Sequence, residues 1–285
     1  MPELPEVETT RRGLEPVILN KTIKSVTVNR RDLRTPIPKT FEKLVSGQKI
    51  KALRRRAKYI LIDLANGKSI LVHLGMSGSM RIVKPNTYKA LKHDHVIFEM
   101  HKHAVVFHDP RRFGIIDVLD TASVEKHALF SNLAPEPLSK EFNAAYLQKA
   151  LARRKGPIKP VIMNQEVVVG VGNIYASESL FLCGIHPETQ ANHASAQAKA
   201  LVESIQKTLR AAIESGGSTL RDYTQADGTT GYFQHRFNVY EREGEPCVAC
   251  GREIRHMVQA GRASYFCATC QPNKNAPKKP RISKA

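Results

Sequence analysis

The pattern of apolar residues changes once along the chain, near residue 133, and this change limits the fold more than any other feature. From 23 to 119, short apolar runs such as KYILIDL, SILVHL and AVVFH recur between Gly, Asn, Pro and Lys. This texture predicts six or more β-strands in a sandwich or barrel-like sheet. The segment 133–138 holds two prolines and is typical of a linker. Beyond it, the apolar spacing becomes helical.

Helices are predicted at 142–152, at 174–182 and, most strongly, at 194–215, where apolar residues follow a helical period. A shorter helix is predicted at 6–19, interrupted or ended by Pro16. Residues 216–232 are rich in Gly, Thr and Asp, which predicts a mobile loop.

The chain carries a formal net charge of +18 over 285 residues. Its last twelve residues hold five basic and no acidic side chains, so +13 remains without them. A basic excess of this size favours a polyanionic partner, and nucleic acid fits better than a membrane surface. The sequence has neither a long apolar run nor a basic segment followed by an apolar one. We therefore expect a soluble, cytoplasmic protein that binds nucleic acid.

Four cysteines form two CxxC pairs, Cys247 with Cys250 and Cys267 with Cys270, separated by sixteen residues. Each pair can place two thiolates on one side of a tight turn, and four thiolates suit a tetrahedral Zn²⁺. The residues between the pairs fit a β-hairpin. Because four protein ligands leave no open position for water, we predict one structural zinc ion. A redox dithiol is the alternative interpretation.

Residues 167–184 read VVVGVGNIYASESLFLCG and predict a tight turn that leads into a helix. Asn173 stands where the helix begins, and asparagine is a favoured N-cap residue. Gly184 fits the helix end. The exposed N–H groups of a helix N-terminus bind anions, so in a basic chain this element predicts a binding site for a DNA phosphate. A plain capped helix has the same pattern.

The chain begins Met1-Pro2-Glu3. A small residue at position two allows removal of Met1, which exposes the secondary amine of Pro2. An α-amine has a pKa of about 7.7–8.0, against about 10.4 for lysine, so its free-base fraction at neutral pH is larger by roughly several hundredfold. Its condensation with an aldehyde carbon gives a cationic iminium, an electron sink suited to elimination. Alternatively, Pro and Glu are simply common in a first helical turn.

A set of motifs over about residues 1–271 resembles the formamidopyrimidine-DNA glycosylase family, the bacterial 8-oxoguanine glycosylases. In chain order the motifs are PELPEVET, RRRAKYILIDL, HLGMSGSMR, DPRRFG, NLAPEPL, VVGVGNIYASESLF, GIHP, GGSTLRDY, GYF and the two CxxC pairs. Any one of them could arise by chance, but the ordered set is very specific.

The resemblance implies an α+β multidomain fold with four parts. These are an N-terminal catalytic β-sandwich with a flanking helix (1–132), a helix–two-turn–helix domain with a lesion-recognition loop (133–232), a C-terminal zinc-finger β-hairpin (233–271) and a basic disordered tail (272–285). It also implies a monomer that binds double-stranded DNA in the cleft between its domains and is associated with the bacterial nucleoid.

The resemblance also implies roles for individual residues. Pro2 corresponds to the nucleophile at C1′ of the damaged nucleotide, Glu3 to the carboxylate that assists opening of the sugar ring, and Lys58 to a catalytic lysine that contacts phosphate. Arg262 corresponds to a phosphate-binding residue that also takes part in catalysis. Further DNA contacts are implied for Met76, His93, Arg111, Phe113, Lys155 and Asn173. Of these, Met76, Arg111 and Phe113 would fill the gap left by the extruded nucleotide.

The mechanism implied is that of a bifunctional DNA glycosylase and lyase. Pro2 displaces an oxidised purine and forms an iminium at C1′, and β,δ-elimination then leaves a one-nucleotide gap. An alternative is the related endonuclease VIII-like branch, which prefers oxidised pyrimidines, although the leucine of PELPE and the RRFG motif favour the purine branch. A non-enzymatic DNA-binding protein on the same scaffold is a second alternative, and the Pro2-Glu3 pair argues against it.

The stretch LKHDHVIFEMHKHAVVFH departs from the family pattern because it is unusually rich in histidine. We interpret these histidines as solvated strand ends, with an opportunistic metal site as the alternative. The basic tail beyond Cys270 is longer than expected, and it can add non-specific affinity for DNA.

Overall fold

The protein is described by a computed structural model that covers residues 1–218, 226 and 231–273. Most of the predicted loop 216–232 and the basic tail lie outside the described residues. Within the described part of the chain, no helix is both long enough and apolar enough to cross a bilayer.

The chain divides into two compact units. The first comprises Met1–Glu136 with Leu209–Arg236, and the second comprises Pro137–Thr208 with Phe237–Ala285. The four-part domain division implied by the sequence stays a prediction.

The first unit is built on two antiparallel four-stranded sheets, which confirms the predicted β-sandwich. One sheet has the strand order β1-β6-β7-β5 and the other has the order β2-β3-β4-β8. The strands are β1 Ser25–Val28, β2 Ile50–Arg56, β3 Tyr59–Leu64, β4 Lys68–His73, β5 Ser79–Val83, β6 Asp94–Glu99, β7 Ala104–His108 and β8 Ile115–Asp120. A short helix, α2 (Phe41–Val45), precedes β2.

The core of this unit lies between the two sheets, where alternate strand residues point inward. Phe98 and Val105 from one sheet and Ile62 and Ile70 from the other belong to one cluster of buried apolar side chains. Fully burying an aliphatic or aromatic side chain contributes about 1.5–3 kcal/mol, so this cluster is the main source of stability for the elements that position the N-terminus.

Helix α1 (Leu4–Ile18) flanks the sandwich and packs on β2, β3 and β5. The helix continues through Pro16, so the prediction that this proline interrupts or ends it is wrong. Pro16 stands in the last turn, where its missing N–H removes a single helical hydrogen bond. Leu14 and Ile18 are both buried in the core, and their packing holds the final turn in place.

The second unit is helical and ends in a β-hairpin. Its helices are α3 Ala144–Ala152, α4 Ile158–Met163, α5 Asn173–Leu182, α6 Ala191–Ala194 and α7 Ala198–Glu214, which continues into the first unit. Strands β9 (Arg255–Gln259) and β10 (Arg262–Phe266) pair antiparallel between the two CxxC pairs, as predicted. Helix α4 was not predicted, because its six residues are too few to show a helical period and include Pro160.

Candidate active site

The start of the chain is held against the first unit by the N-terminus of α1. Met1 is 56% exposed, whereas Pro2 and Glu3 are buried. Glu3 is the N-cap residue and forms a capping box with Glu6, in which each side chain accepts a hydrogen bond from the other's backbone N–H. The Glu3 N–H lies 2.8 Å from Glu6 Oε2. This reciprocal pair fixes the backbone next to Pro2.

Glu6, the second acidic residue of the PELPEVET motif, makes a further hydrogen bond outside the capping box. Its other carboxylate oxygen, Oε1, accepts a hydrogen bond from the Ser218 backbone N–H at 2.9 Å. Glu6 therefore ties the N-terminus to the first residues of the segment that follows α7. A carboxylate at the positive end of a helix is also favoured by the helix dipole.

Lys58 lies in the two-residue turn that joins β2 to β3. Arg56 pairs with Tyr59 at the end of this hairpin, and Ala57 has a left-handed backbone conformation with φ +52°. A tight hairpin needs such a conformation, which fits the short connection. Lys58 is only 8% exposed. The hairpin therefore keeps the Lys58 side chain largely away from solvent.

Arg55 connects this turn to α1. Its guanidinium donates to Glu8 Oε2 at 3.1 Å, to the Ala57 carbonyl at 3.1 Å and to Glu136 Oε2 at 2.5 Å. Glu136 also accepts the Ala57 backbone N–H at 2.6 Å. The network joins the helix that carries Pro2 and Glu3 to the hairpin that carries Lys58. It also shows that part of the predicted linker 133–138 is packed against the sandwich.

The carboxyl group of Glu8 is largely buried within this network. Burial by itself raises its pKa, but hydrogen bonds and charge from Arg11 and Arg12, with Arg55 nearby, bring the pKa below its ordinary value. The group is therefore a carboxylate at neutral pH. A charged pair at this depth is costly to break, because loss of one partner leaves the other buried and uncompensated.

His73, the first residue of the HLGMSGSMR motif, also belongs to this site, although no role was predicted for it. Its ring centre lies 4.9 Å from that of Tyr59, its cross-strand partner. Burial, together with the charges of Lys58 and Arg34, lowers the pKa of His73 to about 4. The imidazole is therefore neutral at physiological pH and adds a polar but uncharged group beside Lys58.

The three residues expected to fill a gap in DNA lie on two adjoining loops of the first unit. Met76 is 39% exposed and Phe113 is 44% exposed, which is unusual for side chains of this size. The Arg111 guanidinium lies 5.0 Å from the centre of the Phe113 ring, a cation–π distance. By contrast, Arg112 forms an ion pair with Asp32 at 2.6 Å.

Buried Asp109 joins these two loops and was not singled out by the sequence. Its carboxylate accepts the Ser77 hydroxyl at 2.9 Å and the Gly114 backbone N–H at 2.8 Å. Ser77 Oγ in turn accepts the Arg111 N–H at 3.3 Å. Gly75 has φ +67°, and a Cβ there would lie 2.4 Å from the Phe113 carbonyl carbon. The Gly75 backbone therefore packs directly against the Phe113 backbone, and the two loops adjoin.

The histidine-rich stretch is only partly solvated. His95 is 3% exposed, and its Nε2 lies 2.8 Å from the Asp109 carbonyl oxygen, so the interpretation as a solvated strand end is wrong for this residue. A bulge at Asp94–Val96 in β6 explains the difference, because it turns an extra residue toward the interior. His93 is half-buried and adjoins the same loop, its carbonyl accepting the Asp109 N–H at 3.0 Å.

In the second unit, Asn173 is the first residue of α5, and Gly172 is the N-cap. The prediction that Asn173 caps the helix is therefore wrong. Its side-chain oxygen is engaged elsewhere, since it accepts a hydrogen bond from Lys159 Nζ at 2.6 Å. Gly184 follows the helix end with φ +68°, as predicted.

Lys159 on α4 is 1% exposed and connects Asn173 to the hairpin that carries Arg262. Besides Asn173, its ammonium donates to the Ala263 carbonyl at 2.7 Å and to Ser264 Oγ at 2.8 Å. The two predicted phosphate-binding residues are thus positioned through one buried lysine. Arg262 itself is exposed at the start of β10, and Lys155 is exposed before α4.

A matched pair of lysine substitutions distinguishes positioning from direct phosphate contact. Lys159→Met should lower the free energy of unfolding by about 1–3 kcal/mol, because it leaves buried acceptors without a donor. It should weaken DNA binding without changing the slope of log affinity against log salt. Lys155→Met should leave stability unchanged but reduce that slope by about one. Chemical denaturation and DNA titrations from low to moderate salt measure both quantities, and a reduced salt slope in Lys159→Met contradicts the positioning role.

The four predicted zinc ligands converge. Their sulfur atoms all lie within 4.8 Å of one another, with Cys247 Sγ 3.8 Å from Cys270 Sγ and Cys250 Sγ 3.5 Å from Cys267 Sγ. Thiolates bound to one Zn²⁺ at about 2.3 Å stand roughly 3.8 Å apart at the corners of a tetrahedron. The cluster therefore fits one structural zinc ion, as predicted. Gly251, with φ +71°, makes the turn after the first pair.

Buried Glu178 on α5 anchors the segment that leads into the zinc module. Its carboxylate accepts the backbone N–H groups of Asn238, Val239 and Tyr240 at 2.9 Å each. This clamp keeps the segment close to α5.

Family models match the chain along most of its length. The formamidopyrimidine-DNA glycosylase N-terminal domain matches residues 1–116, the formamidopyrimidine-DNA glycosylase H2TH domain matches residues 133–224, and a zinc finger found in FPG and IleRS matches residues 244–273.

Individual proteins show the same similarity. A formamidopyrimidine-DNA glycosylase of Ruegeria pomeroyi is 47% identical over 282 residues, which cover 95% of this chain and 100% of that protein. A crystal structure of a Lactococcus lactis FPG mutant with Fapy-dG containing DNA is 34% identical, with a TM-score of 0.89, and the match covers 95% of this chain and 100% of that one. A wild-type L. lactis FPG (MutM) complex with DNA containing an oxidised pyrimidine has the same identity and coverage, with a TM-score of 0.87.

Proposed function

The chain belongs to the formamidopyrimidine-DNA glycosylase family and is a DNA glycosylase of base excision repair, and we propose that it removes oxidised purines through its N-terminal proline. The observation that carries this proposal is the placement of Pro2 and Glu3 at the N-terminus of α1, which Arg55 joins to the Lys58 hairpin. Pro2, Glu3 and Lys58 therefore lie on two elements, α1 and the β2–β3 hairpin, that are joined by hydrogen bonds.

Pro2 acts as the nucleophile once Met1 has been removed. Its secondary amine attacks C1′ of the damaged nucleotide, the bond from C1′ to the base breaks, and the sugar ring opens to give an iminium. As a terminal α-amine, the Pro2 amine has a lower ordinary pKa than the amine of a lysine side chain. The amine is therefore available as a free base more readily than a lysine side chain is.

Glu3 and Lys58 assist the steps that follow this attack. Glu3 assists opening of the sugar ring by protonating its oxygen, and the capping box holds its backbone in place for this task. Lys58 contacts the phosphate near the lesion and assists the elimination that follows. Abstraction of a C2′ proton expels the 3′ phosphate, and a second elimination expels the 5′ phosphate. Water then hydrolyses the iminium, which releases the sugar remnant from Pro2 and leaves a one-nucleotide gap.

The exposed side chains of Met76 and Phe113, with Arg111 beside them, fill the space left by the extruded nucleotide. Extrusion costs a few kcal/mol of lost stacking, and an apolar side chain inserted in the gap recovers part of this free energy. Arg111 can hydrogen-bond the unpaired partner base. His93, Lys155, Asn173 and Arg262 contact the DNA backbone, and Arg262 also assists catalysis. We expect a monomer that acts on the DNA of the bacterial nucleoid in the cytoplasm.

The substrate class is tested by excision from matched duplexes. Under single-turnover conditions, we expect 8-oxoguanine opposite cytosine and a formamidopyrimidine to be released at least about tenfold faster than thymine glycol opposite adenine. The thymine glycol duplex is included because the similar L. lactis FPG has been crystallised with DNA that contains an oxidised pyrimidine. Faster release of thymine glycol would assign the chain to oxidised pyrimidines, and binding without release of any base would leave a DNA-binding protein.

A further inference from the structure

Three histidines meet at one end of the β1-β6-β7-β5 sheet, outside the catalytic residues described above. The ring centre of His93 lies 5.9 Å from that of His108 and 6.2 Å from that of His95. Asp94 and His108 are cross-strand partners at this end of β6 and β7, and the bulge in β6 follows directly. His93 directly precedes Asp94, the partner of His108, so the pairing of β6 with β7 brings the two histidines close together.

His108 is oriented by a buried carboxylate. Its Nδ1 lies 2.8 Å from Asp94 Oδ1, and the Asp94 side chain has no exposed surface. Asp94 is itself fixed by Arg81 at 2.5 Å and by the Tyr88 hydroxyl at 2.6 Å. The hydrogen bond at Nδ1 leaves Nε2 as the remaining nitrogen of a ring that is 22% exposed. A carboxylate on one ring nitrogen is the arrangement that orients histidine ligands of metal ions and increases their basicity.

His93 offers a second imidazole at a suitable distance. Among the described residues, none forms a hydrogen bond with its ring, and its side chain is half-buried. Two imidazoles on one ion, with metal–nitrogen distances of about 2 Å, place their ring centres roughly 4.5 to 5 Å apart, so these two rings must approach each other by roughly 1 Å when an ion binds. His95 differs, since its Nε2 is engaged by the Asp109 carbonyl and it is 3% exposed.

We propose that His93 and His108 form a surface site for one divalent transition-metal ion of the Zn²⁺ and Ni²⁺ class, with Asp94 positioning His108. Imidazole nitrogen is a ligand that these ions prefer, and water completes the coordination. The site is separate in sequence and chemistry from the four-cysteine cluster. Because it has only two protein ligands, this site binds its metal ion more weakly than the four-cysteine cluster binds zinc, and the binding is reversible.

A bound ion has a consequence for DNA, which rests on the proposed function. His93 is one of the proposed DNA contacts, and its carbonyl is bonded to Asp109 in the loop that leads to Arg111. An ion held by His93 and His108 removes the His93 ring from that contact. Ni²⁺ should therefore weaken DNA binding in the wild-type protein and not in a His108→Gln variant.

The direct test uses Ni²⁺ and the full zinc-loaded chain without an affinity tag. Isothermal titration should show one Ni²⁺ bound per chain at this site, and His108→Gln and His93→Gln should each weaken it by about tenfold or more. His103→Gln is the matched control, since this histidine belongs to the same hairpin but lies in the turn at its other end. It should bind Ni²⁺ as the wild type does. Zinc content, measured in the same samples, should remain one per chain.

Nuclear magnetic resonance locates the ion independently of affinity. Paramagnetic Ni²⁺ should broaden the imidazole signals of His93 and His108 at substoichiometric amounts, before those of His103. Unchanged Ni²⁺ affinity in His93→Gln, or first broadening at other histidines, would overturn the proposal. His93 lies just before β6 and not within a strand, so His93→Gln should disturb the sheet less than His108→Gln. It therefore provides the test if His108→Gln does not fold. Neither result bears on base excision, which is measured separately.

Discussion

Replacing Pro2 by glycine should lower the single-turnover rate of base excision by about a hundredfold or more, while affinity for an uncleavable lesion duplex stays nearly unchanged. Glycine keeps an N-terminal amine but loses the ring that fixes its backbone. A displacement of about 1 Å at a reacting atom can by itself cost a hundredfold in rate. The primary amine of glycine also forms a neutral imine, which must be protonated before it withdraws electrons. The secondary amine of proline forms an iminium, which is always cationic.

Pro5→Ala is the matched control for this substitution. Pro5 lies in the first turn of α1, three residues after Pro2, and is buried, but it carries no free amine in the processed protein. It should keep excision close to the wild-type rate. Rapid-quench measurement of base release, with gel-shift titration of an uncleavable duplex, separates chemistry from binding. Full activity in Pro2→Gly would remove this residue from the mechanism.

The second large effect concerns the zinc module. Cys267→Ser should abolish stoichiometric zinc and weaken DNA binding by about a hundredfold or more, because structural zinc supplies apparent binding free energies of about 10–16 kcal/mol to small modules. Cys267 has no exposed surface and lies directly after β10, so the hairpin that carries Arg262 loses its support. Atomic absorption and DNA titration measure the two outcomes.

Cys183→Ser is the control for the zinc prediction. Cys183 lies outside the cluster, at the end of α5, and burial raises the pKa of its thiol. The variant should retain one zinc per chain and normal DNA affinity. Zinc-free Cys267→Ser that binds DNA as tightly as the wild type would show that the metal does not support the DNA-binding surface.

The parts of the fold that follow from local pattern were predictable. Alternating apolar residues predicted the sandwich strands, and the CxxC spacing predicted the convergence of Cys247, Cys250, Cys267 and Cys270. Both signals are local, because strand period and turn geometry involve residues a few positions apart. The long helix α7 was predictable for the same reason, since its 17 residues carry a strong amphipathic period.

The residues that position the site were not predictable, because their partners are distant in sequence. Lys159 bonds to the backbone of Ala263, and Arg55 bonds to Glu136. No local pattern marks such pairs. The same limit explains the error at Asn173, whose amide was assigned to its own helix although Lys159 engages it. His95 was misassigned because a β-bulge changes which residues face inward, and the alternation of the sequence does not show it.

Borohydride trapping tests the central claim most directly. Protein from which Met1 has been removed, as verified by intact mass, is mixed with an 8-oxoguanine duplex and reduced during turnover. A covalent protein–DNA adduct should form, and peptide mass spectrometry should place it on the nitrogen of residue 2. The absence of an adduct, or an adduct on Lys58 or another lysine instead, would contradict the claim that the N-terminal amine attacks the sugar.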